Sequence, residues 1–111
     1  MVLLRVVEMP PIPKEPVAGW PGVESVMQAA DVEARIYLER SRRSLKDSRV
    51  QITTQVATGS VAESIIDMAD ELQADLIVMS SHGRSGVDRW VFGSVTEKTL
   101  RGTHCATLVI R

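Results

Sequence analysis

Four short apolar segments, each separated from the next by an amphipathic or irregular stretch, set the terms on which this chain can fold. Residues 3–7 are rich in Leu and Val and broken only by Arg5. Residues 50–58 alternate Ile52, Thr54, Val56 and Thr58, with β-branched side chains dominating. Leu76-Ile77-Val78-Met79 and Thr107-Leu108-Val109-Ile110 are continuous apolar or β-branched runs. Runs of this length and composition are strands, and continuous ones suit parallel strands covered on both faces.

Helical patterns fill the intervals. From Val23 onward, Val26, Met27, Ala30, Ala34, Tyr37, Leu38 and Leu45 recur at three- and four-residue spacing among Glu, Arg, Lys, Gln and Asp, which predicts a long amphipathic helix. Ser60-Val-Ala-Glu63 has capping-box spacing and opens a second helix whose apolar positions are Val61, Ile65, Ile66, Ala69 and Leu72. Ser94-Val-Thr-Glu97 repeats that spacing and opens a third, carrying Val95, Thr99 and Leu100 and ending near Gly102. Residues 9–21 contain all five prolines and read as a surface excursion, because proline fits neither a helix interior nor a central strand. The order is therefore β, loop, α, β, α, β, loop, α, β. Parallel strands need crossovers, so the expected fold is α/β, an open parallel sheet with helices on both faces, formed by residues 1–111 as a single domain.

Composition narrows the function. The 111 residues carry a net charge of −1, which leaves no electrostatic footprint for nucleic acid or an anionic membrane. No apolar stretch approaches the ~20 residues of a membrane span. The first eight residues have no basic n-region and do not read as a signal peptide. A single cysteine, Cys105, builds neither a disulfide framework nor a metal site and reads as a small apolar filler. A cytoplasmic setting is the expectation.

Chemistry concentrates in residues 79–97. This segment leaves a predicted strand at its carboxyl end, passes Gly83, Gly86 and Gly93, and enters a helix at Ser94. Ligands of open α/β sheets bind beyond the carboxyl ends of strands. Glycines let the backbone approach an anion, and a helix N-terminus offers free N–H groups and a favourable dipole. A phosphate site is one reading; a Gly-rich structural turn before a capped helix satisfies the same residues equally well. His82 reads as solvated or bonded within its own turn rather than catalytic. Arg84 is either a positive charge near phosphate or a solvent-facing side chain. Trp90, Val91 and Phe92 are expected to pack the loop against the sheet. Arg40-Ser-Arg-Arg43 reads as a solvated helix face.

The spacing Ser80-x-x-Gly83, nine residues, Gly93-Ser94-Val95 resembles the nucleotide loop of the universal stress protein family, G-x-x-G, nine residues, G-[S/T]. Ala74-Asp-Leu-Ile-Val-Met79, Gly59-Ser-Val-Ala-Glu63, Cys105-Ala-Thr-Leu-Val-Ile110 and Leu3-Leu-Arg-Val-Val-Glu8 are similar to other segments of that family. The resemblance implies a Rossmann-like fold that binds ATP, with or without Mg2+. By position it assigns Gly83, Gly93, Ser94 and Val95 to the phosphates, the Val6 backbone to the adenine, and Met79 and Ser80 to the nucleoside side. Ser80 stands where the family has its first motif glycine and narrows the space for the ribose.

The resemblance also implies a homodimer through the last strand, residues 107–110. The family's first strand and helix have no counterpart in this sequence, so the chain is expected to be shortened at its N-terminus. In the family's 3-2-1-4-5 order that strand lies between the first and third strands present here, and its loss would expose unpaired backbone and half the pocket. A strand swapped from a partner, or closure of the gap by the remaining strands, are the other arrangements. No catalytic residue or metal ligand is nominated, because the phosphate loop comes without a general base, a metal-ligand cluster or a Walker A lysine. The expected function is thus a regulatory module that binds adenine nucleotide with little or no hydrolysis. A dimeric interaction module in the stress response that binds no nucleotide is the alternative. An enzyme acting on adenylated substrates ranks last, since the H-x-G-H and S-G-G-x-D-S signatures are not in the sequence.

Overall fold

The computed structural model describes residues 1–47, 49–80 and 93–110. Its elements run β1 (Val2–Val7), α1 (Val23–Ser44), β2 (Thr53–Thr58), α2 (Val61–Leu72), β3 (Leu76–Ser80), α3 (Ser94–Gly102) and β4 (Ala106–Ile110). This is the alternating α/β order read from the sequence, and every strand pairing is parallel. The chain divides into two compact units, Met1–Gly59 and Ser60–Arg111.

In the first unit β1 pairs with β2 from Val2↔Thr53 to Val7↔Thr58. The ladder is extended at both ends, where Thr53 N–H donates to Met1 O and Gly59 N–H donates to Val7 O, each at 3.0 Å. Helix α1 packs on both strands, and Ala34, Leu38 and Val7 form the buried centre. Gly22 precedes α1 with φ 95°, a left-handed conformation in which a side chain would be strained. Residues 9–21 form the expected surface excursion, with Met9, Ile12 and Val17 all exposed. Tyr37 departs from its expected core position: it is exposed, and the Arg5 guanidinium lies over its ring at 4.5 Å from the centroid. An amphipathic ring gains more from a cation at the rim than from full burial of its hydroxyl. Leu45 is also exposed, because it falls at the helix C-cap.

In the second unit β3 pairs with β4 from Leu76↔Ala106 to Ser80↔Ile110. Pairing of first with second strand and of third with fourth agrees with the expected order. Helices α2 and α3 lie against each other, so close that a Cβ added at Gly102 would sit 2.6 Å from Ile66 Cδ1. Ala62, Ala69 and Ile77 are buried, as are the polar Thr96 and Thr99. Half of the two strands does not meet expectation. Leu76, Val78, Leu108 and Ile110 alternate onto one face and are each more than half exposed. Among the described residues of this unit, only the opposite face of the strand pair is covered. Leu72 and Leu100, at the ends of their helices, are exposed for the same lack of a neighbour.

Candidate functional site

The C-terminal end of β3 and the N-terminal end of α3 carry the residues assigned to nucleotide. Met79, half-buried, pairs with Val109, and Ser80 is the last residue of the strand. Gly93, not Ser94, is the N-cap of α3: its backbone is extended (φ −60°, ψ 157°) and its carbonyl accepts the first helical bond, from Glu97 N–H at 3.0 Å. Ser94 is thus the first helical residue and exposed, and the glycine at the N-cap makes no side-chain cap bond. The expected Ser94 cap is corrected by one residue. Glycine serves at an N-cap nearly as well as serine, since the position asks mainly for a non-helical backbone. Ser60 does take the N-cap of α2, but again no side-chain cap bond forms.

Helix geometry leaves the first-turn N–H groups without intrahelical acceptors. The amides of Ser94 and Val95 stand at the positive end of the helix dipole, beside a glycine that presents no side chain. Such an arrangement suits an anion held through backbone N–H groups. Glu97, in the first turn, is engaged by Arg101 through a 2.6 Å ion pair one turn on.

One residue that the sequence reading passed over joins the two halves of this site. Thr96 is 2% exposed and its Oγ1 donates to the Ser80 carbonyl at 3.2 Å. The structure thereby brings Ser80 and the 93–95 turn together within the second unit. A threonine in a first helical turn was the only sequence signal for this contact, and it is an ordinary one. Cys105 behaves as the filler expected, half-buried with its Sγ 3.1 Å from the Ala74 carbonyl.

Val6, in β1 of the other unit, pairs with Ala57 of β2 and is half-buried. Gly83 lies outside the described residues, as do His82, Arg84, Gly86, Trp90, Val91 and Phe92. Among the described residues no group of three or more His, Cys, Asp or Glu side chains could hold a metal ion, and no helix is long and apolar enough to cross a membrane.

The fold is shared with known proteins. The family model described as the universal stress protein family matches residues 1–111. The chain is 31% identical over 109 residues to universal stress protein MJ0531 of Methanocaldococcus jannaschii, a match spanning 97% of this chain and 62% of that protein. It is 30% identical over 86 residues to the stress response protein NhaX of Bacillus subtilis, spanning 71% of this chain and 52% of NhaX. This chain therefore spans between about half and three-fifths of the length of these relatives. Among solved structures, the fold of MJ0577 superposes with a TM-score of 0.76 at 23% identity, over 98% of this chain and 73% of that one. A universal stress protein crystallised in complex with cAMP superposes with a TM-score of 0.54 at 26% identity, over 70% of this chain and 64% of that one. The parallel pairing, the element order and the full-length family match have one reading: this chain belongs to the universal stress protein family.

Proposed function

We propose that the chain is a regulatory module that binds an adenine nucleotide at the junction of β3 and α3, with little or no turnover. The observation that carries this reading is the start of α3, with Gly93 as N-cap and the Ser94 and Val95 amides beside the end of β3. The cAMP complex of a related protein supports an adenine ligand. The residues that would hold the phosphates are Gly83, Gly93, Ser94 and Val95, with Met79, Ser80 and the Val6 backbone on the nucleoside side. Mg2+ would arrive on the phosphate oxygens. ATP, when bound, acts as a conformational ligand whose phosphates the backbone groups orient.

Isothermal titration with Mg-ATP tests this directly. A Gly93→Val/Ser94→Ala variant is the comparison, since the extended backbone at Gly93 is one that valine adopts and its side chain would stand where the phosphate approaches. We expect binding by the natural chain and a loss of at least about tenfold in the variant, as one or two charge-assisted hydrogen bonds are removed. Absence of binding by both would reject the nucleotide reading.

A second reading rests on a separate observation, the exposed apolar face of Leu76, Val78, Leu108 and Ile110. Patches of this kind mark interaction surfaces. It favours a homodimeric interaction module that uses the β4 strand and is indifferent to nucleotide. Light scattering distinguishes the two: a dimer unchanged by ATP, together with no heat of ATP binding, supports the second.

A further inference from the structure

Two threonines of α3 are buried, and they satisfy their hydroxyls in different ways. Thr99, wholly buried, donates from Oγ1 to the Val95 carbonyl one turn back, at 2.8 Å. Any helical threonine can make that bond. Thr96 stands in the first turn, and its hydroxyl reaches across to the Ser80 carbonyl at 3.2 Å. Ser80 closes β3 and Thr96 opens α3, so this bond ties together the two ends between which residues 81–92 run.

The other buried residue of α3 is the small Thr99. Thr99 and Gly102 follow Thr96 at three-residue spacing, and Gly102 allows close approach to Ile66. Small side chains permit contact but supply few ridges to interlock. A hydrogen bond is directional, and weakens steeply when its angle or length departs from the optimum. The Thr96 bond therefore supplies the restraint that the packing lacks.

We propose that Thr96 is a positioning residue that sets the distance between the nucleoside-side groups, Met79 and Ser80, and the phosphate-side amides of Ser94 and Val95. The proposal rests on the nucleotide reading above. It adds that a ligand spanning both sides is sensitive to Thr96, and a ligand touching only the nucleoside side is not. Affinity for the triphosphate is set by this spacing, whereas affinity for bare adenosine is independent of it.

The test measures ATP and adenosine affinities by titration for the natural chain, Thr96→Val and Thr96→Ser, at a temperature where circular dichroism shows all three folded. Valine keeps the shape and loses the donor; serine keeps the donor. Loss of one hydrogen bond predicts a Kd for ATP raised about tenfold in T96V, a Kd for adenosine within about twofold, and recovery to within about threefold in T96S. If T96V does not fold, Thr96→Ala is read in the same way, with adenosine binding as the internal control. Equal losses for both ligands, no loss for either, or failure of T96S to recover would overturn the proposal while leaving nucleotide binding intact. A natural chain that binds neither ligand would overturn the nucleotide reading and this proposal with it.

Discussion

At the scale of single residues, several side chains owe their state to one neighbour. Glu39 accepts hydrogen bonds from Arg42, with Nε 3.0 Å from Oε2, and lies 3.4 Å from Arg43 Nε. The Arg42 hydrogen bond, helped by the charges of Arg42 and Arg43 and a hydrogen bond from Arg43, outweighs the opposing desolvation and holds the Glu39 carboxyl below the ordinary glutamate range. A carboxyl whose folded pKa is lowered contributes stability that is present above its unfolded pKa and is lost as pH falls through the folded one. We therefore expect an NMR titration to place Glu39 below the ordinary value of about 4.3. A Glu39→Gln chain should lose this part of the acid sensitivity in urea unfolding. The cluster is solvent-exposed, so the effect is small.

Gly102 offers a sharper residue-scale prediction. An added Cβ meets only the tip of Ile66, 2.6 Å from Cδ1. Gly102→Ala should cost about 1 kcal/mol, at the low end of overpacking because one methyl at the end of a flexible side chain can move. Ile66→Val removes that methyl. Urea denaturation of the double variant should therefore show less destabilisation than the sum of the two single changes.

The elements differ in how much of each is used. On β3, Ile77 is buried while Val78, its immediate neighbour, is more than half exposed. Ile77→Ala should cost about 2–4 kcal/mol by lost burial and the cavity left behind. Val78→Ala should cost less than about 1 kcal/mol, because the removed methyls were already in water. Denaturant midpoints of the two variants decide the matter. Equal costs would mean that the face of Leu76, Val78, Leu108 and Ile110 is covered in solution, as the interaction-module reading requires. Helix α1 shows the same economy: its two most buried residues are Ala34 and Leu38, one turn apart, while Ile36 and Tyr37 between them are exposed.

For the whole molecule, nucleotide binding and stability are linked. A ligand that binds the folded chain alone stabilises it by RT ln(1 + [L]/Kd), about 2.7 kcal/mol at a hundredfold excess over Kd. Saturating Mg-ATP should therefore raise the melting temperature of the natural chain by several degrees, and that of the Gly93→Val/Ser94→Ala variant by far less. Differential scanning fluorimetry reads both. An equal shift in the two would place the ligand elsewhere than the start of α3.

Element type and order were legible without coordinates because they depend on local periodicity and on turn residues. Residues 76–79 and 107–110 could only be strands, the repeat from Val23 could only be a helix, and the alternation demanded parallel pairing. The glycine spacing around residues 80–95 pointed to the α3 N-terminus for a related reason, since it reports where backbone can approach an anion. What periodicity could not reach is contact between residues distant in sequence. A continuous apolar run is compatible with cover on one face or on two, and among the described residues of the second unit the face of Leu76, Val78, Leu108 and Ile110 is open. A Ser-Val-Thr-Glu string suits a cap at serine. The extended backbone of Gly93 moved the helix start one residue earlier and freed the Ser94 hydroxyl. Thr96 is an unremarkable polar residue in the sequence. It is buried because a carbonyl sixteen positions away satisfies its hydroxyl, and a partner supplied by tertiary structure leaves no trace in local pattern.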